Sequence, residues 1–430
     1  MEISFHDEID SLKLGNGAVF HGEGILAVAK ALLQSGVSYV GGYQGAPVTH
    51  LLDVMVQARD YLAELGVHVE PCTSEASAAA MLAASINYPM RGAVSWKSTV
   101  GTNVASDALS NLASPGVIGG ALIVLGEDYG EGASIIQERS HAFAMKSQMW
   151  LLDPRPNLPT IVRMVEKGFE LSEASNTPVF MQLRVRACHL RGSFIASDNR
   201  TPAISTRKLL SGAAQFDYER LAHPPATFRQ EKLKAGVRLP AARKFILENG
   251  INEAFAGTET GVGIICQGGL YNGLMRALQL LGQADNFGNS RVPILALNAV
   301  YPLVPEEIAG FSAGKRAVLV VEEGMPEFIE QEISTLLRRA DLQTALHGKD
   351  MLLLAGEYST EVLVRGAARF LGIYAPHLDT SAGGAWPQSV GAVRARAANL
   401  LEAALPVRPP TFCVGCPERP VFAAMKLVKR

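Results

Sequence analysis

Cysteine is scarce, five in 430 residues, so there is no disulfide framework to read and an oxidising compartment is not expected. Cys72, Cys188 and Cys266 fall singly on or beside apolar runs and are expected to behave as small reduced hydrophobes. Long hydrophobic runs are missing too. The longest, around Val117 to Leu125, is broken by glycine and is far short of the roughly 20 residues that cross a bilayer. The opening MEISFHDEID is polar and acidic, with no basic segment leading into an apolar one, so no secretory leader is expected and the chain is assigned to the cytoplasm. Charge of one sign is also lacking. A formal net charge of -2 with 19% charged residues gives no field to collect nucleic acid or an anionic membrane. The one basic stretch, 193–258, carries no interleaved aromatics of the kind that stack on bases and is expected to be a solvated face. What is left as partner is a small molecule or another subunit.

Hydrophobic residues make up 48% of the chain, and 430 residues exceed what one core organises, so two or three domains are expected. Strand-like and helix-like segments alternate. VSYVGG, VHVEP, GAVSWKS (92–98), GALIVLGED (120–128) and PVFMQLRVRAC (178–188) read as strands with helices between them. A second series, VGIICQGG, VPILALNAVYPL and KRAVLVVEEG (315–324), follows the basic stretch. This order predicts an α/β chain with two parallel-sheet domains.

One stretch concentrates the chemistry. Thr73 to Asp107 opens with Thr73 or Ser74 as a helix N-cap, places Glu75 on the first turn, and continues with Ala76, Ala78, Ala79, Ala80, Ala83 and Ala84. Two readings of Glu75 stand on local grounds. It complements the helix dipole, a contribution of about 0.3 to 1 kcal/mol. Alternatively it is a poorly solvated carboxyl able to share a proton with a ring nitrogen. After the strand ending at Ser98, Gly101, Thr102 and Asn103 are expected to form a turn ahead of a helix from Val104. The loop GGYQGAP, Gly41 to Pro47, lies where α/β sheets bind ligands, beyond a strand's carboxyl end.

Other signals are weaker. Gly22, Gly24 and Ala27 spell GxGxxA, but no proper strand leads into them and no acid follows the next strand, so an ordinary first helix is expected. Adjacent Glu322 and Glu323 point to opposite faces of a strand and are expected at an exposed strand end, not as a carboxylate pair. Cys413 and Cys416 form a CxxC, the spacing of half a thiolate metal site.

The ordered set GGYQGAP, TSEASAAAMLAAS, WKSTVGTNVASD, YPLVPEEI, VLVVEEGMPEFIEQEI, HGKD and PPTFCVGCPERPVFAAMK resembles the alpha subunit of indolepyruvate:ferredoxin oxidoreductase, over essentially the whole chain. These are thiamine-diphosphate-dependent 2-oxoacid:ferredoxin oxidoreductases. The resemblance implies a pyrimidine-type thiamine-diphosphate fold over 1–192, a connector over 193–258, and a transketolase C-terminal-like fold over 259–372. A linker and helix over 373–408 would then lead to the start of an incomplete diphosphate-binding domain at 409–430. No GDG with a downstream Asn, the family's magnesium and diphosphate element, occurs in the chain.

On the same resemblance Glu75 matches the glutamate that meets the cofactor's aminopyrimidine. Gly45, Ala46 and Pro47 match a loop beside cofactor and substrate, although Gln44 and Ala46 replace its usual proline and threonine. Lys97, Asn103 and Asp107 match a region near the cofactor, with one extra residue in the loop. Cys413 and Cys416 match candidate iron-sulfur ligands, an incomplete set. The implied activity is oxidative decarboxylation of aryl-2-oxoacids to acyl-CoA, with thiamine diphosphate, coenzyme A, magnesium held by the missing domain, and iron-sulfur clusters in the complete enzyme. The implied partners are a beta subunit or separate diphosphate-binding chain and ferredoxin, in an oligomer. The alternative is a non-catalytic remnant or scaffold.

Overall fold

The structure, a computed structural model, describes residues 5–127, 136–205, 217–401 and 419–429. The strands among the described residues are β1 Val19–Glu23, β2 Tyr39–Gly42, β3 His68–Pro71, β4 Gly92–Lys97, β5 Ala121–Glu127, β6 Trp150–Leu152, β7 Val179–Arg184, β8 Arg191–Ile195, β9 Glu253–Phe255, β10 Val262–Gln267, β11 Ile294–Leu297, β12 Ala299–Tyr301, β13 Ala317–Val321 and β14 Ala345–His347. Two compact units result. One holds residues 1–251, 298–304 and 413–430, the other 252–297 and 305–412.

In the first unit seven strands form one sheet in the order β12-β6-β7-β5-β4-β2-β3. Every neighbouring pair is parallel except β12 with β6. β5 is central and buried along its whole length, which is why Ala121 to Leu125 is a continuous apolar run without alternation. Leu122 and Val124 pack in one core with the helix Leu158–Ser175 and the helix Gly24–Gln34. The chain leaves β2 for β3 on one side and returns to place β4 on the other, so the strand order reverses at β2. Loops at the carboxyl ends of β2 and β4 therefore flank the crevice where such sheets bind ligands.

The second unit carries β14-β13-β10-β11-β9, parallel except for β9. Its core joins Ile264, Leu319 and Ile294 with the helices Tyr271–Leu280 and Thr360–Tyr374. Here the order reverses at β10, between β11 and β13.

Four details differ from the sequence reading. VPILALNAVYPL is two strands, β11 and β12, and they belong to different sheets. The break is Asn298, fully buried, which donates from Nδ2 to Ile251 O at 2.8 Å and accepts from Arg155 N at 2.8 Å. A strand, β1, does precede Gly24, but it pairs antiparallel with β8 in a separate ribbon, so Gly22 and Gly24 open no βαβ unit. A side chain on Gly24 would overlap the carbonyl of Ala187, so close packing accounts for that glycine. Within the basic stretch Arg238 is buried, against the expectation of a solvated face; it ends a π-helical turn, Lys234–Arg238. Finally Glu322 and Glu323 are buried, not exposed. Glu322 accepts from Ile329 N and Glu330 N at 3.0 and 2.9 Å, and Glu323 accepts from Tyr358 N at 2.6 Å. Their strand end is covered because each carboxylate satisfies backbone donors that would otherwise be orphaned.

Candidate functional site

Ser74 is the N-cap of the helix Glu75–Met81, accepting from Ser77 N at 3.2 Å, and this fixes Glu75 as the first helical residue. Glu75 is 8% exposed. Its carboxyl has no side-chain hydrogen-bond partner among the described residues, and burial raises its pKa while its own backbone N–H works the other way. Glu75 is thus a buried, poorly solvated carboxyl on the first turn of its helix.

The surroundings are shaped by glycine. Gly101, in the first turn of the helix Val100–Ala113, lies against Glu75, so that a Cβ there would sit 2.9 Å from Glu75 Cγ, 3.0 Å from its Oε1 and 2.6 Å from Trp96 Cδ1. Trp96 Nε1 donates to Thr102 Oγ1 at 3.1 Å, which locks that turn to β4. Gly45 lies on Lys97, where a Cβ would meet Lys97 Cβ at 2.6 Å. Pro47 lies over Gly126 at the end of β5, where a Cβ would meet Pro47 Cδ at 2.6 Å. Gln44 hydrogen-bonds Asp53, whose pKa burial raises. The carboxyl ends of β2, β4 and β5 therefore meet through small residues.

Not every candidate joins this group. Asn103 and Asp107 lie on the exposed side of their helix, away from Gly101; Asn103 donates to Glu138 at 3.5 Å and Asp107 accepts from Asn111 at 3.3 Å. Ala46 is half-buried and brings no hydroxyl. Cys413 and Cys416 lie outside the described residues. Among the described residues no group of three or more His, Cys, Asp or Glu side chains could hold a metal ion, and the three described cysteines are free thiols.

Gly101, Ser98 and Glu127 were not singled out in the sequence. Gly101 was lost in an expected turn: the helix begins at Val100, four residues early, because Thr99 turns the chain in a left-handed conformation, φ +52°. Glu127 was legible only as an acid at the end of an apolar strand.

No family model matches the chain. The indolepyruvate oxidoreductase subunit IorA of Methanothermobacter marburgensis is 26% identical over 97% of this chain and 62% of its own length. The subunit of the same name from Thermococcus kodakarensis is 27% identical over 93% of this chain and 58% of its own. The likeness is to IorA. The chain spans about three fifths of the length of these IorA relatives. The solved 2-oxoglutarate:ferredoxin oxidoreductase of Magnetococcus marinus superposes with a TM-score of 0.59 at 16% identity, covering 82% of this chain and 65% of that one. The fold is accordingly the expected class, two parallel-sheet α/β units, and the IorA likeness runs through both of them. Among the described residues no helix is long and apolar enough to cross a membrane.

Proposed function

We propose that this chain supplies the pyrimidine side of a thiamine-diphosphate site in a 2-oxoacid:ferredoxin oxidoreductase of the indolepyruvate class, with a diphosphate-binding polypeptide supplying the rest. The observation that carries it is Glu75, a buried carboxyl pressed by a glycine at the carboxyl edge of a parallel sheet. The fit is good on this side. The carboxyl is buried with no side-chain hydrogen-bond partner among the described residues, and Gly45 and Gly101 leave flat backbone where any side chain would intrude.

When bound, thiamine diphosphate would supply the carbanion chemistry of decarboxylation. Glu75 would hold a proton at its carboxyl and exchange it with a ring nitrogen, an exchange that burial favours by raising its pKa. Gly101 and Trp96 keep water from that carboxyl and hold its orientation. The loop Gly45 to Pro47 sets the wall against Lys97 and Gly126. Coenzyme A, iron-sulfur clusters and ferredoxin complete the proposed reaction as acceptors.

The test is reconstitution. The chain is co-purified with a diphosphate-binding partner and assayed for indolepyruvate-dependent viologen reduction. Glu75→Gln is expected to lower kcat by roughly two to four orders of magnitude. An undiminished rate would refute the role of Glu75, and no activity with any partner would favour a non-catalytic scaffold.

A further inference from the structure

Beneath the turn that carries Gly101 lies a buried polar junction to which nothing above gives a task. Glu127, 7% exposed at the end of β5, accepts a hydrogen bond from Ser98 Oγ at 2.9 Å. The buried Ser140 hydroxyl is hydrogen-bonded to Ser98 Oγ and also acts on the Glu127 carboxyl, so the two hydroxyls and the carboxyl form one cluster. Ser140 opens the helix Ser140–Ser147. Ser98 N donates to Gly126 O at 2.9 Å, and Thr99 Oγ1 donates to Glu138 O at 2.9 Å. Three elements are thereby tied at one point, namely the β4 turn, the β5 end and the start of that helix.

The tie has something to hold. Thr99 is β-branched and sits at φ +52°, ψ -73°, a conformation that costs roughly 1 to 3 kcal/mol and persists only where its surroundings impose it. Two residues later Gly101 bears on the Glu75 carboxyl. We propose that Glu127 is a positioning residue: through Ser98 it holds the strained β4 turn, and the turn holds Gly101 against Glu75, which keeps that carboxyl dry. This deepens the reading of Glu75 given above, but its test uses no cofactor, so the two can fail separately.

Among the described residues, the charged groups acting on Glu127 are Arg184, opposite it in the sheet register and paired with Asp153 at 3.1 Å, and Arg139. Burial is the leading influence on Glu127 and raises its pKa, with Ser98, Arg184, Ser140 and Arg139 opposing.

The experiment is a pH titration of the full chain labelled with 13C at glutamate Cδ, the Glu75 signal being identified by its loss in Glu75→Gln. In Ser98→Ala and Glu127→Ala the turn loses its tie, and the Glu75 midpoint is expected to fall toward the ordinary carboxylate value. Glu127→Gln, which keeps an oxygen to accept from Ser98, is expected to retain the parent midpoint. Circular dichroism verifies folding; if Glu127→Ala does not fold, Ser98→Ala decides alone. A parent-like midpoint in folded Ser98→Ala overturns the proposal, as does a fall in Glu127→Gln equal to that in the alanine variants, which would make charge the cause.

Discussion

Two side chains show how much is set by a few atoms. At Gly101 the missing Cβ is what lets Glu75 and Trp96 share one space. Gly101→Ala would place a methyl inside normal contact distance of both and must push one of them out. The backbone there is helical, so the residue change itself is tolerated, and the cost is overpacking of about 1 to 3 kcal/mol. The expected outcome is a folded protein with a lowered urea midpoint and, in the reconstituted enzyme, a loss of activity close to that of Glu75→Gln.

Lys30 is a different case, fully buried yet ionisable. It donates to Leu14 O and to Asn199 Oδ1 at 2.6 Å. Burial still pulls its pKa down from 10.5 to about 8, with the Asp198 carboxylate opposing. The unfolded chain then holds a proton that the folded chain has lost between pH 8 and 10.5, so stability rises with pH across that window. Relative to Lys30→Met, the parent is expected to gain up to about 3 kcal/mol between pH 7.5 and 10.5. Parallel urea titrations of the two proteins measure it, and a flat difference would mean that the two acceptors keep the ammonium charged.

At the scale of elements, the helix Val100–Ala113 is held at its start by the turn that precedes it and at its end by a residue remote in sequence. Its start is set by Thr99 and the Trp96 to Thr102 bond. Its last carbonyls are capped by Arg238, whose guanidinium donates to Ala113 O and Ser114 O at 3.0 Å and to Pro115 O at 2.7 Å. Arg238→Met leaves three carbonyls buried without a donor and is expected to cost roughly 2 to 4 kcal/mol, seen as a lower thermal midpoint. Local pattern made neither end legible. Gly101, Thr102 and Asn103 have turn composition, and only tertiary packing makes them the first turn of a helix. Arg238 looks solvated in a basic stretch, because composition cannot show that a π-helical turn delivers it to a helix end. By contrast Ser74 before Glu75, and β4 and β5, are legible because capping chemistry and buried apolar runs are local signals. The split of one apolar run at Asn298 was not, since hydrophobicity marks a strand without saying which sheet receives it.

At the scale of the whole molecule, the chain contains two parallel sheets that each reverse strand order next to a central strand, and each could hold a ligand on topology alone. Their chemistry differs. In the first unit the reversal is lined by Gly45, Ala46, Pro47 and the β4 turn, small groups beside one buried carboxyl. In the second, the end of β13 is filled by the chain's own side chains. Glu322 takes the Ile329 and Glu330 amides, Glu323 takes the Tyr358 amide, Gln267 accepts from Glu323 N at 2.9 Å, and Lys349 Nζ donates to Glu322 O at 2.7 Å and Tyr358 Oη at 2.8 Å. Those carboxylates cap the helix Phe328–Arg339 and anchor the segment before the helix Thr360–Tyr374, so their work is in stability. Glu322→Ala is therefore expected to lower the thermal midpoint, through a loss of roughly 1 to 3 kcal/mol from two orphaned amides. Thiamine-diphosphate affinity of the reconstituted enzyme, measured by calorimetry, should stay at the parent value. A folded Glu322→Ala protein with parent stability and weakened cofactor binding would move the ligand site to the second sheet.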